Sequence, residues 1–209
     1  MTLAHPVHGD PPADHRPTTA PPTAAPPTGC TCRSGATVWL TGLPSSGKTT
    51  LARALAARLS ADRRRVEVLD GDELRSRLSP DLGFGPDARR TQVQRVGLLA
   101  EVLARNGVLV LVPVIAPYAD SRDAVRRRHA ASGTPYLEVH VATPVEVCAA
   151  RDVKGLYARQ AAGELTGLTG VDDPYEAPTD PDVRVETERQ GVEESVVALH
   201  ALLVQRGLI

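Results

Sequence analysis

The sequence has almost no net charge: 24 Lys and Arg stand against 25 Asp and Glu, giving a formal charge of −1 at pH 7. A near-neutral chain gives no indication of a nucleic-acid partner or of an anionic membrane surface. No apolar run approaches the roughly 20 residues that cross a bilayer. No charged start leads into an apolar core, as a secretory signal would require. These absences favour a cytoplasmic protein with neither kind of partner.

Cysteine is scarce as well, with three residues in an odd set. Cys148 lies inside a helical pattern, where a small buried hydrophobe is expected. For Cys30 and Cys32 a metal or redox role stays open, and a reducing compartment is the default. Three histidines could join them at a metal, although scattered histidines are usually just solvated: His5, His8 and His15.

Lysine is much rarer than arginine, since the chain contains only Lys48 and Lys154. Arginine therefore supplies nearly all of the positive charge, so each retained lysine is a candidate functional residue. Survival by chance is the alternative, and for Lys154 the composition does not decide between the two.

Residues 1–35 contain no aromatic residue and are rich in Pro, Thr and Ala. Such a segment buries too little apolar surface to offset the entropy lost on ordering. We predict a disordered tail over 1–35 and one folded domain over 36–209, a division that suits a chain of 209 residues.

Residues 42–49 read Gly-Leu-Pro-Ser-Ser-Gly-Lys-Thr and match the phosphate-binding loop (P-loop) pattern G-x-x-x-x-G-K-[ST]. The glycines let the backbone curl so that N–H groups point at phosphate oxygens. Lys48 supplies a cation for the β- and γ-phosphates, and the Thr49 hydroxyl can ligate Mg²⁺. A β-prone segment before the loop and a helical pattern after it place the phosphates at a helix N-terminus. We predict ATP binding through nine residues: Gly42, Leu43, Pro44, Ser45, Ser46, Gly47, Lys48, Thr49 and Thr50.

From residue 36 onward, strand and helix patterns alternate. Strands are predicted over 37–41, 66–69, 108–112, 136–141 and 183–185. Helices are predicted over 50–59, 88–106, 121–131, 144–150 and 192–203. This alternation indicates an α/β fold with a parallel β-sheet flanked by helices on both faces. Residues 152–181 are rich in Gly, Asp and Pro and poorly periodic, and we interpret them as a lid.

Two carboxylates follow the second predicted strand, at the edge of the sheet where open α/β folds bind ligands. Asp70 and Asp72 flank Gly71 there. A carboxylate at this point could align or deprotonate an acceptor hydroxyl, or hold Mg²⁺ through water. A helix N-cap is the alternative role. We expect Asp70 to have the capping role and Asp72 the chemical one.

Phe84 is the single Phe of the chain and lies between two glycines. A ring in such a loop can stack on a base, or it can seal the loop onto the core. Arg75 and Arg89 flank this loop, and their guanidinium groups suit phosphate and sulfate oxygens.

With these residues assembled, the chain resembles the adenylylsulfate kinases, which phosphorylate adenosine 5′-phosphosulfate (APS) to 3′-phosphoadenosine 5′-phosphosulfate (PAPS). Six segments carry the resemblance: 42–50, 69–73, 81–85, 117–118, 151–157 and 169–178. It implies a P-loop kinase fold, a homodimer, Mg²⁺ with ATP as co-substrate, and Arg151 at the ATP. It also implies that eight residues contact APS: Asp72, Arg75, Phe84, Arg89, Gln92, Ile115, Lys154 and Leu168.

Three positions depart from the pattern of that family. Gln92 stands where members commonly carry Asn, which keeps the amide but lengthens the side chain. Leu168 stands where many carry a Phe that sandwiches the APS adenine, so the expected stack is aromatic on one face only. Ala116 stands at the phosphoserine position of a Ser-Pro-Tyr motif, and its methyl group cannot be phosphorylated.

The leading hypothesis is phosphorylation of the ribose 3′-hydroxyl of APS, with Lys48 and Asp72 as catalytic residues. One alternative is a P-loop kinase for another small hydroxylated metabolite, against which the segments around Asp72 and Phe84 weigh. The other is an inactive nucleotide-binding subunit, against which the intact Lys48, Thr49 and Asp72 weigh. An ATP sulfurylase partner is compatible with the resemblance, but no residue indicates it.

Overall fold

The structure, a computed structural model, describes residues 35–209. The predicted tail up to residue 34, with Cys30, Cys32 and the three histidines, lies outside the described residues. Gly35, which we assigned to the tail, is packed at the start of the first strand. A Cβ atom there would collide with the backbone of Ala104 and Val108, so the packed part of the chain includes residue 35.

Within the described residues, strands and helices alternate along the chain. The strands are β1 (Ala36–Thr41), β2 (Val66–Val68), β3 (Leu109–Pro113), β4 (Tyr136–Val141) and β5 (Val183–Val185). The helices are α1 (Lys48–Ala61), α2 (Gly71–Leu78), α3 (Pro86–Arg105), α4 (Ala119–Ala131), α5 (Val145–Arg151), α6 (Leu156–Ala161) and α7 (Val192–Gln205). None of the helices in residues 35–209 is long and apolar enough to cross a membrane.

The five strands form one parallel sheet in the order β2-β3-β1-β4-β5. β1 is central: Val38 is in register with Leu111 of β3 and with Leu137 of β4. Every residue of β1 and β3 is buried, which explains why their sequences are apolar on both faces. Because the strands are parallel, the loops that follow β1, β2 and β3 meet at one edge of the sheet.

Helices cover both faces of the sheet, and each face buries its own apolar cluster. On one face α1 and α7 contribute Leu55 and Leu199. On the other face α3 and α4 contribute Val96 and Val125. Gly97 permits the close approach of α3 to α4, because a Cβ atom there would lie 2.5 Å from a Val125 methyl carbon. This layered architecture confirms the predicted fold class.

No range was predicted for two helices, α2 and α6, although a helix start at Asp70 was expected. α2 buries none of its residues, so its sequence carries no apolar stripe that periodicity could reveal. α6 has six residues and lies between Gly155 and Gly163, both of which have positive φ. Residues 152–181, which we interpreted as a lid because they are poorly periodic, therefore contain one short helix.

Candidate functional site

A cavity of about 570 Å³ opens at the carboxyl edge of the sheet. The loop after β1, the start of α2, one face of α3 and the residues after β3 surround it, together with the α5–α6 connection. Most of the predicted site residues line it: Pro44, Ser45, Ser46, Gly47, Lys48, Thr49, Thr50, Asp72, Arg75, Phe84, Arg89, Gln92, Ile115, Arg151 and Lys154. Residues from six separate segments of the sequence thus share one cavity.

The phosphate-binding loop owes its tight curl to its two glycines. Gly42 passes close to β4, and a Cβ atom there would lie 2.5 Å from the Val141 carbonyl oxygen. Gly47 has φ of +99°, in the left-handed region, and is the N-cap of α1. The first N–H groups of α1 have no partner within the helix and lie beside the loop. The loop and the helix terminus together form an anion site.

The Lys48 ammonium lies inside this loop. Its Nζ donates to the carbonyl oxygens of Gly42 and Leu43, at 3.0 and 2.6 Å, and to the Ser46 hydroxyl at 3.3 Å. Burial lowers the pKa of Lys48 to about 8. Gly42 and Leu43, which do not line the cavity, therefore act on the site by positioning this cation.

Asp70 links the phosphate-binding loop to α2. Its Oδ1 accepts a hydrogen bond from the Asp72 N–H at 3.0 Å, which makes it the N-cap of α2 as expected. Its Oδ2 accepts a hydrogen bond from the Thr49 hydroxyl at 3.1 Å. The sequence interpretation missed this second contact, which places Asp70 beside the predicted Mg²⁺ ligand.

Asp72 lies on the first turn of α2 and forms an ion pair with Lys154, from the α5–α6 connection. Both side chains are more than half exposed. The structure therefore brings the second lysine of the chain to the candidate catalytic carboxylate, 82 residues away in sequence.

The Arg151 guanidinium lies against the loop. It donates to the hydroxyl and the carbonyl oxygen of Thr187, at 2.8 and 2.9 Å. The Thr187 hydroxyl in turn donates to the Ser46 carbonyl oxygen at 3.0 Å. Arg151, Thr187 and the loop form one bonded unit at this end of the cavity.

The sequence interpretation missed the wall of the cavity beside that unit, which comes from the connection between β5 and α7 and from the first turn of α7. Its lining residues are Thr187, Gln190, Gly191, Val192 and Ser195. One signal could have revealed it: Gly191 directly precedes a predicted helix and follows the last predicted strand, so it falls at the ligand-binding edge of a parallel sheet.

Phe84 stands free of the core, with 71% of its surface exposed. This exposure excludes the alternative that its ring seals the loop. The Arg75 guanidinium lies 4.4 Å from the ring centroid and also donates to the Gly83 carbonyl oxygen. A cation stacked on one face holds the ring in place.

Arg89 connects the Phe84 loop to the distal part of the predicted lid. Its Nε donates to the Phe84 carbonyl oxygen at 2.7 Å, and its terminal nitrogens donate to the Thr169 hydroxyl and to the Gly167 carbonyl oxygen. One terminal nitrogen also lies 3.3 Å from the Asp173 carboxylate.

Gln92 is buried in the wall of the cavity, on α3. Neither its amide nitrogen nor its amide oxygen has a hydrogen-bond partner within residues 35–209. A buried amide without a partner is costly, and a bound ligand would supply one. Ile115 lines the same cavity, and its carbonyl oxygen accepts a hydrogen bond from Thr41.

The structure does not bring Leu168 into the cavity lining. Its side chain is buried in a small apolar cluster with Cys148 and Tyr157. Cys148 is thus the small buried hydrophobe expected from the sequence, and burial raises the pKa of its thiol. Ala116 is buried at the cavity with φ of +44°, a conformation strained for a residue with a Cβ atom.

A complete phosphate-binding loop that shares one cavity with an acidic residue and a free aromatic ring defines a P-loop kinase with a small-molecule acceptor. The chain belongs to the adenylylsulphate kinase family, whose model matches residues 34–186. The resemblance drawn from the sequence motifs is thereby confirmed.

Individual relatives agree with this assignment. The chain is 49% identical over 176 residues to the adenylyl-sulfate kinase of Myxococcus xanthus, covering 84% of this chain and 95% of that protein. It is similar to the Mycobacterium tuberculosis APS kinase CysC in complex with AMPPNP and APS, with a TM-score of 0.79 and 42% identity over 82% of this chain and 98% of that one. It is also similar to a hexameric APS kinase from Thiobacillus denitrificans, with a TM-score of 0.64 and 34% identity over 85% of this chain and 30% of that one.

Proposed function

We propose that the protein is an adenylylsulfate kinase, which transfers the γ-phosphoryl group of ATP to the ribose 3′-hydroxyl of APS and yields PAPS and ADP. The observation that carries this proposal is the single cavity in which the Lys48 loop lies opposite Asp72, Phe84 and Gln92. The Mycobacterium tuberculosis relative, whose complex contains AMPPNP together with APS, supports this pair of substrates.

We assign the donor nucleotide to the end of the cavity at the phosphate-binding loop. The loop N–H groups and Lys48 would face the phosphates, and Arg151 would lie over the nucleotide. The wall at Gln190, Gly191 and Val192 combines open backbone with apolar surface, which suits the ATP base.

Thr49 and Asp70 are suited to hold Mg²⁺, because their side-chain oxygens lie 3.1 Å apart beside the loop. Mg²⁺ typically takes one or two protein oxygens and completes its shell with water and phosphate oxygens. Among residues 35–209 no group of three or more His, Cys, Asp or Glu could hold a metal. When bound, the ion would neutralise charge on the β- and γ-phosphate oxygens.

We assign APS to the opposite end of the cavity. Phe84 would stack on the adenine with its exposed ring. The unpartnered amide of Gln92 would donate to and accept from the nucleotide, and Arg75 would face the phosphosulfate. Leu168 would meet APS only after leaving its apolar cluster, so we assign it no contact in the arrangement seen here.

The chemistry falls to Lys48, Asp72 and Lys154. Phosphoryl transfer needs the two substrates in line and stabilisation of charge on the transferred group. Lys48 would supply that stabilisation, and Asp72 would align the 3′-hydroxyl and accept its proton. Lys154 is paired with Asp72 in this structure and would turn toward the APS phosphate when the acceptor arrives.

The remaining assignments concern the whole protein. We propose a homodimer in the cytoplasm, with a folded domain that spans residues 35–209. A family member that is hexameric is compatible with assembly. Binding to an ATP sulfurylase stays a prediction.

The purified protein is expected to form PAPS and ADP from APS, ATP and Mg²⁺, and not to phosphorylate shikimate or gluconate. The measurement is separation of the nucleotide products after incubation at micromolar APS. Phosphorylation of another metabolite but not of APS would favour the alternative kinase. ATP binding without turnover of any acceptor would favour the inactive subunit.

Phosphoryl transfer is expected to be direct, because the residue at the phosphoserine position is Ala116. Its side chain offers no nucleophile, and in-line transfer needs only the two oriented substrates and Lys48. Incubation with γ-labelled ATP alone, followed by an acid quench, should leave the protein unlabelled. Stoichiometric label that passes to PAPS when APS is added would contradict direct transfer.

A further inference from the structure

Arg89 is joined to two segments of the chain that are far apart in sequence. From the first turns of α3 it reaches the Phe84 backbone on one side and residues 167–173 on the other. We call residues 167–173 the lid turn. Through these bonds Arg89 links the lid turn to the Phe84 loop.

The lid turn is a compact unit held by its own hydrogen bonds. The Asp172 carboxylate accepts from the N–H groups of Gly167, at 2.8 Å, and Leu168. The Gly170 N–H donates to the Asp173 carbonyl oxygen at 2.7 Å. Thr169 is 1% exposed. A turn braced in this way moves as one piece, so the bonds of Arg89 act on the whole turn, together with the packing of Leu168 on Cys148 and Tyr157.

Most of the donors of Arg89 are taken by the protein. A guanidinium has five N–H groups, and three of its hydrogen bonds go to Phe84, Gly167 and Thr169. Arg89 lines the cavity but is itself only 12% exposed. It is therefore placed to join two walls of the acceptor site, with few donors left for a substrate oxygen.

Asp173 supplies the countercharge for this guanidinium. It is the carboxylate paired with Arg89 within the described residues, and its side chain is 17% exposed. Without a partner, the poorly exposed Arg89 charge would cost free energy, because the protein interior replaces little of the hydration that the guanidinium loses. An amide at position 173 would keep the size of the side chain but remove the charge.

We infer that Asp173 is a positioning residue for APS, acting through Arg89. The pair holds the lid turn and the Phe84 loop at a fixed separation, so that the stacking ring and the Arg89 guanidinium face the acceptor together. This inference rests on the proposed function, since APS is the ligand whose binding it concerns. It does not involve the ATP end of the cavity.

The test is Asp173→Asn, assayed with each substrate varied in turn. We expect KM for APS to rise about tenfold, a size within the coupling seen between residues in direct contact. KM for ATP should be unchanged, and kcat should stay within about twofold, because the groups that act on the transition state are untouched. An unchanged KM for APS, or an equal rise in both KM values, would overturn the inference.

The matched control is Asp120→Asn. Asp120 pairs with Arg90, the next residue of α3, at 3.1 Å. Neither Asp120 nor Arg90 lines the cavity. The control removes the same charge from a more exposed ion pair between α3 and α4, in which Arg90 is 40% and Asp120 63% exposed. It should leave both KM values as they are in the wild type.

Two further variants separate positioning from direct contact and from misfolding. In an Arg89→Met background, Asp173→Asn should add little to the rise in KM for APS, because the guanidinium through which Asp173 acts is already absent. Additive effects would overturn the inference, since Asp173 would then act on APS without Arg89. Thr169→Val removes another acceptor of Arg89 at nearly constant volume. It should also raise KM for APS, and it serves as the test should Asp173→Asn fail to fold.

The outcomes for this inference and for the proposed function are distinguishable. If the wild type forms no PAPS, the proposed function fails. If the wild type and Asp120→Asn form PAPS with the same KM for APS as Asp173→Asn, only the positioning role fails.

Discussion

Replacing Lys48 by alanine should lower turnover by at least about 100-fold, the usual loss when one positioned group that stabilises transition-state charge is removed. Lys48 is the cation inside the phosphate-binding loop, held by two carbonyl oxygens and one hydroxyl of that loop. A methyl group would leave the β- and γ-phosphate charge without its neutralising partner. The backbone N–H groups of the loop would remain, so ATP binding should weaken less than turnover.

The measurement is kcat by product separation, together with ATP affinity by calorimetry and the melting temperature. Arg53→Ala is the matched control, because it removes an exposed cation from the same helix, outside the cavity. That control should keep wild-type turnover. If Lys48→Ala keeps more than roughly a tenth of wild-type turnover, the activation barrier has risen by less than about 1.4 kcal/mol and the assigned role is wrong.

The sheet and the phosphate-binding loop could be predicted from the sequence because both rest on local patterns. The bounds of β4 and β5 agree with the predicted ranges, since each segment is β-prone and lies between turn residues. The loop is fixed by two glycines, Lys48 and Thr49 within one short stretch. For such features the residues that determine the structure are also neighbours in the chain.

Other parts of the site depend on contacts between distant residues, which periodicity cannot reveal. Asp70 was expected to be only a helix cap, yet it also accepts from Thr49, 21 residues away. Arg89 was predicted as a substrate ligand, and nothing in its neighbourhood pointed to Asp173. The Leu168 side chain could face either the cavity or the interior. Its packing on Cys148 and Tyr157 is decided by the tertiary fold.

Two of the positions that depart from the family pattern, Gln92 and Leu168, affect how the proposed acceptor APS would be recognised. Its longer side chain places an amide in the cavity wall, and both polar ends of that amide lack a protein partner in the described part of the chain. Leu168, in contrast, contributes apolar packing beside Tyr157. In this arrangement the adenine of APS would be recognised by one aromatic ring, Phe84, and by the Gln92 amide.

Replacing Asp72 by asparagine should lower turnover by about 100-fold or more, as expected when a general base is removed. The amide cannot accept the proton of the 3′-hydroxyl, and it carries no charge to align Lys154. The fold should be unaffected, because Asp72 and Lys154 are both more than half exposed and exposed ion pairs contribute about 0–1 kcal/mol. Asp70, which caps α2, is unchanged in this variant.

Glu73→Gln is the matched control for Asp72→Asn. Glu73 is the adjacent carboxylate on the first turn of α2, but it pairs with Arg77 and does not line the cavity. Loss of the Glu73 carboxylate should leave turnover at the wild-type level. Loss of the Asp72 carboxylate should leave APS binding measurable, but the bound ATP and APS should react very slowly.

Single-turnover experiments with both substrates saturating give the rate of the chemical step directly. If Asp72→Asn slows that step by less than about tenfold, the group that accepts the proton is another one, and water or a phosphate oxygen would be the next candidate.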